Sequence, residues 1–205
     1  TAPPITRYAV GLTSPFPPGR HPTWGRADLD GDGDQDLVIV SRAWITARVD
    51  GEALRARIPT SPGHRLQGLV DLDGDGRLEI LVAGTDIGRP YRVRMYSTSV
   101  LHLAGQALVA LNSRAPLPGA RGLGDWFTGL HCGRGTFDLV SFYHSGQAPT
   151  ATLTTTTFRI ARHRLVVAHE SRTTVTSSDS AAVRSALVAA TTTCPGLTSD
   201  GWAIR

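Results

Sequence analysis

Two nine-residue windows place carboxylates where several oxygens can converge. The first is Asp28-Leu29-Asp30-Gly31-Asp32-Gly33-Asp34-Gln35-Asp36, and the second is Asp71-Leu72-Asp73-Gly74-Asp75-Gly76-Arg77-Leu78-Glu79. Both carry acids at positions 1, 3, 5 and 9, with glycine at 4 and 6. Like charges this close repel unless a cation lies among them. A glycine-bent loop of hard oxygen donors suits a divalent ion, calcium above all. An EF-hand loop opens the same way but needs a bidentate Glu at position 12 and helices on both sides. Position 12 is Ile39 in one window and Val82 in the other. The following runs, Leu37-Val38-Ile39-Val40 and Ile80-Leu81-Val82, read as buried strands. The windows are therefore calcium loops closed at position 9 and set between strands. The plainer alternative is a solvated acidic turn without metal.

Other reactive side chains form no comparable pattern. The seven His residues show no H-x-x-x-H or H-E-x-x-H spacing, and no nucleophile elbow, phosphate loop or dinucleotide fingerprint occurs. Asp86, Asp125 and Asp179 are left as candidates for a carboxylate pair of the glycosidase kind, with nothing to single them out. The two cysteines, Cys132 and Cys194, are best explained by the repeat described next.

The metal windows begin 43 residues apart, and decayed copies follow. Residues 130–138 keep Gly133 and Gly135 at positions 4 and 6 and Asp138 at position 9, but have Leu130, Cys132 and Arg134 at positions 1, 3 and 5. Residues 192–200 put Cys194 at position 3 and Asp200 at position 9. Both cysteines thus replace a ligand position, and a disulfide between them would substitute one cross-link for another. Trp24 and Trp126 lie four residues before their loops, as Gln67 does before the second. Aromatics at equivalent repeat positions predict packing between units.

Short strands dominate the chain that must position these loops. They are expected at Ile5–Leu12, Leu37–Ser41, Ile45–Val49, Leu54–Ile58, Ile80–Ala83, Tyr91–Tyr96, Gln106–Leu111, Leu139–Tyr143, Thr150–Thr156, Phe158–Ala161, Leu165–His169 and Ala203–Arg205. Residues 179–190 alone have helical character, with Asp179 as N-cap. Four strand-loop-strand units over residues 1–205 predict one all-β domain, a small β-propeller-like array of about four blades. Ile5–Leu12 would then complete the last blade.

Ala27 to Val38 and Val70 to Leu81 resemble the FG-GAP/VCBS repeat of integrin α-subunit propellers and many secreted bacterial proteins. The match covers about a tenth of the chain. The resemblance implies β-hairpin calcium loops on a propeller. It makes Asp28, Asp30, Asp32 and Asp36 side-chain ligands, with the carbonyl of Asp34. In the second loop it points to Asp71, Asp73, Asp75 and Glu79, with the carbonyl of Arg77. Glu79 departs from the usual Asp at position 9.

Nine of the 17 acids lie in the two windows, which hold one Arg; outside them 20 Arg stand against eight acids, and there is no Lys. Two calcium ions would nearly neutralise the windows and leave a basic remainder. Arg42, Arg48, Arg55 and Arg57 are read as spread along solvent faces of strands, in preference to a dedicated polyanion site. No apolar run approaches the ~20 residues that cross a bilayer. The expectation is a secreted calcium-binding module recognising a glycan or a protein surface, as a monomer or ring-completing dimer, with no nucleic-acid partner. A polysaccharide-acting enzyme, or an accessory domain of a larger protein, is the alternative.

Overall fold

The structure is a computed structural model and describes residues 24–41, 43–58, 65–88, 93–112, 117–120, 125–144, 149–176 and 180–191, together with Cys194. Its elements are three antiparallel meanders followed by a helix. Sheet 1 runs β1 (Trp24–Ala27), β2 (Asp36–Ser41), β3 (Trp44–Val49) and β4 (Glu52–Arg57). Sheet 2 runs β5 (Arg65–Val70), β6 (Glu79–Gly88), β7 (Val93–Ala104) and β8 (Ala107–Ala110), and a short β9 (Leu117–Ala120) also pairs with β7. Sheet 3 runs β10 (Asp125–Cys132), β11 (Phe137–His144), β12 (Thr150–Ile160) and β13 (Leu165–Thr176). Helix α1 spans Ser180–Thr191.

In each sheet the repeat loop joins the first strand to the second, so the repeat inferred from glycine and acid spacing has a topological counterpart. The second strands were legible because they are runs of Val, Ile and Leu. The first strands, β1, β5 and β10, are each interrupted by a glycine, Gly25, Gly68 and Gly129, and strand propensity does not reveal them. The expected strands Thr150–Thr156 and Phe158–Ala161 are one strand, β12, with a register shift at Thr157/Phe158. The expected Ile5–Leu12 and Ala203–Arg205 strands, and the N-cap at Asp179, lie outside the described residues.

Alternation along the strands gives each sheet two faces. Val38, Val40, Ile45 and Ala47 of sheet 1 share a core with Leu66, Ile80, Val82 and Leu101 of sheet 2. The other face of sheet 2 supplies Leu81 and Val100 to a second cluster, with Leu130, Phe137 and Leu139 of sheet 3 and with Cys194. The far face of sheet 3, through Val140, Phe142, Ala151 and Val175, packs on Ala182, Val183 and Ala186 of α1. Each fully buried Leu, Ile or Val adds ~1.5–3 kcal/mol, so these three seams hold the sheets together. None of the three sheets closes on itself. Within the expected fourth copy, residues 192–200, only Cys194 is described.

Candidate metal centre

Both acidic loops are built on the same plan. The position-1 carboxylate gathers the amides of the two glycines. Gly31 and Gly33 donate to Asp28 at 2.7 and 3.0 Å, and Gly74 and Gly76 donate to Asp71 at 2.6 and 3.0 Å. All four glycines have positive φ, between 73° and 100°, a backbone region that a Cβ strongly disfavours. The position-5 carboxylate accepts from the position-7 amide, Asp34 N–H to Asp32 at 2.7 Å and Arg77 N–H to Asp75 at 2.8 Å. At position 9, the Leu29 amide donates to Asp36 Oδ2 at 2.8 Å and the Leu72 amide to Glu79 Oε2 at 2.9 Å. Leu29 and Leu72 are fully buried and anchor the loops in the core.

Carboxylate oxygens of Asp28, Asp30 and Asp32 converge within 4.8 Å, as do those of Asp71, Asp73 and Glu79. Asp36 and Asp75 lie beside these triads, engaged with the Leu29 and Arg77 amides. The residues fit a divalent cation, and the second loop shows it best. There Asp73 Oδ1 is buried and accepts no hydrogen bond. An oxygen in that state costs free energy unless something positive meets it. Glu79 is 2% exposed, and its carboxyl is pushed up to about 8, chiefly by burial and against the Leu72 amide, with Asp73, Asp75 and Asp71 adding repulsion. Burial likewise raises Asp36 and Asp73, again with neighbouring carboxylates adding to the effect.

Asp50 was not singled out from the sequence, because it belongs to the β3–β4 turn. It has φ 51° and reaches the first loop, where its carboxyl is raised, foremost by Asp30, then by burial and by Asp32.

The third copy is not a loop of this kind. β10 and β11 pair as far as Cys132 and Phe137, leaving residues 133–136 as the connection, whereas eight residues separate the strands at each acidic window. Without carboxylates to hold them apart, the strands zip further. Asp138 falls within β11 and accepts from Thr157 Oγ1 at 2.6 Å on the neighbouring strand. The shortened hairpin docks on the second loop. Gly133 N–H donates to the Leu72 carbonyl at 3.4 Å, and Gly135 N–H donates to the Asp73 carbonyl. Cys132 and Cys194 are disulfide-bonded, with Cα atoms 5.3 Å apart, as expected, although Cys194 is reached through α1.

A second long-range contact also escaped the sequence. His102 Nε2 and His163 Nδ1 are 2.9 Å apart, joining β7 to the β12–β13 turn. His102 is held below its ordinary value by burial first and by His163 second. Arg162 and His163 both have positive φ, as a two-residue turn between twisted strands requires.

No protein-family model, curated protein or solved structure matches the chain.

Proposed function

We propose that this chain is a calcium-stapled, non-catalytic binding module of the FG-GAP/VCBS type. The carrying observation is the pair of carboxylate cradles built on one plan at the same point of two successive sheets, one of them holding a buried oxygen with no donor. Calcium would be held by Asp28, Asp30 and Asp32, and by Asp71, Asp73 and Glu79. Asp36 and Asp75, at position 9 of the first loop and position 5 of the second, are the further carboxylates that would join them. Bound there, the ion supplies no reaction. It removes the repulsion among carboxylates and fixes the first two strands of each sheet in register.

Face-to-face packing of successive antiparallel sheets supports a propeller-like array. The disulfide supports a secreted, oxidising setting. Among the described residues no helix is long and apolar enough to cross a membrane. The ligand of such a module is a glycan or a protein surface.

The test is calorimetric. Calcium titrated into chelator-treated protein is expected to bind at two sites and to raise the melting temperature. Asp28→Asn with Asp71→Asn is expected to abolish both responses. An unchanged melting temperature on chelation would sink the calcium reading.

A further inference from the structure

We propose that the outer face of sheet 1 is a docking surface for a uronic-acid polysaccharide, which rests on the binding-module reading above and names its ligand class. The register decides which side chains share that face. Trp24 stands opposite Ile39, Arg26 opposite Leu37, and Leu37 opposite Arg48. Trp44 pairs with Arg57, and Thr46 with Arg55. Arg26, Arg48, Arg55 and Arg57 are all exposed, as are Trp44 at 40% and Ile39 at 36%. No carboxylate of the four strands is on this face: Asp36 and Glu52 register with Ala27 and Val49, on the core side.

Strand spacing sets neighbouring Arg positions of this face about 7–10 Å apart at the backbone, since alternate residues are ~7 Å apart along a strand and neighbouring strands ~4.8 Å apart. The Arg55 guanidinium lies over the Trp44 ring, 4.3 Å from its centroid, which fixes one cation beside an aromatic surface. A planar guanidinium fork matches a carboxylate in a bidentate pair. Trp44, with Arg55 over one face, offers its remaining exposed surface to the C–H groups of a sugar ring. Acidic sugars repeated along a polymer need this combination: a flat face, several forks in a row, and an aromatic between them.

The other occupants fit less well. A second copy docking by the same face would set four Arg against four Arg. Residues 1–23 carry Arg7 and Arg20 and no acid, and residues 195–205 carry Asp200 against Arg205, so charge draws neither segment to this face; a terminal segment covering it would leave uronate unbound. A nucleic acid would find the same cations and rings, but the disulfide suits an oxidising compartment, where acidic glycans are the abundant polyanions.

The experiment titrates hyaluronan and oligogalacturonate fragments into the intact chain, with neutral dextran, dextran sulfate and oligo-dT as comparisons. Runs are made both in calcium and in chelator. Either uronate is expected to bind with an affinity that falls as salt rises. Arg48→Ser/Arg55→Ser/Arg57→Ser is expected to lose at least tenfold, and Trp44→Ala several-fold, with melting temperatures and calcium response unchanged. No binding of either uronate overturns the proposal. So does binding of dextran, dextran sulfate or oligo-dT in preference to both uronates, and so does uronate binding that survives the Arg substitutions. Melting in chelator is read separately, so failure of the calcium reading and failure of this surface are distinct results.

Discussion

Glu79 shows how one methylene and one burial environment combine. Its longer side chain still lets Oε2 reach the Leu72 amide, as Asp36 reaches Leu29, but the carboxyl ends almost fully buried. Its folded value of about 8 stands above the ordinary 4.5, so in metal-free protein the neutral form is favoured. The stabilisation tied to that proton is complete below about 4.5 and is lost as pH rises through 8. Between about pH 7 and 8, stability should fall by up to ~1.4 kcal/mol per pH unit, the slope for one proton released on unfolding. Raised values at Asp36 and Asp73 act in the same direction at lower pH, whereas the lowered His102 opposes them near its own range. Thermal melts in chelator at pH 7 and 8 check this. Glu79→Gln should flatten the fall and raise metal-free stability at pH 8, while weakening the calcium response of the second site. A calcium increment that grows with pH in the wild type and not in the variant completes the pattern.

At the scale of elements, the two loops share a plan but not their surroundings. An added Cβ at Gly31 meets nothing within 4 Å, whereas one at Gly74 comes within 2.9 Å of the Gly133 carbonyl. Both residues have positive φ, so Ala at either costs ~1–2 kcal/mol of backbone strain. Gly74→Ala must also push the third hairpin away, so its loss of stability by denaturant titration should exceed that of Gly31→Ala. The same docking ties Cys132 to the second loop, because Gly133 donates to Leu72. Cys132→Ser/Cys194→Ser should therefore weaken calcium binding at the second site more than at the first, besides a cost of ~4 kcal/mol for opening a 62-residue link. Calorimetry of the double variant separates the sites.

What the sequence made legible was local. Acids and glycines at fixed spacing revealed the loops, because their chemistry is local. Val and Ile runs revealed the second strands for the same reason. Asp50, the His102–His163 contact and the loop-on-loop docking join residues distant in sequence, and no local pattern announces them.

For the whole molecule, the sheets are in series: sheet 1 on sheet 2, sheet 2 on sheet 3, sheet 3 on α1. On the proposed reading calcium would act at the first two, and the Cys132–Cys194 disulfide lies at the last. Chelation should lower the melting temperature of the oxidised protein, and reduction should lower it further, because the two kinds of staple restrain different stretches of chain. Coincident curves by scanning calorimetry for the chelated and the chelated, reduced protein would refute that division. Of the expected four-unit ring, three antiparallel sheets in series are described, and within the expected fourth copy, residues 192–200, only Cys194 is.

The bridge between Cys132 and Cys194 also has a mechanical meaning. A pull on the two ends of the chain passes through the sulfur atoms and bypasses most of sheet 3 and all of α1, which lie between the cysteines. Sheets 1 and 2 would yield their length under load while that stretch stays slack. Cleaving the bridge would release about 200 Å of hidden contour, from 62 residues at ~3.3–3.6 Å each.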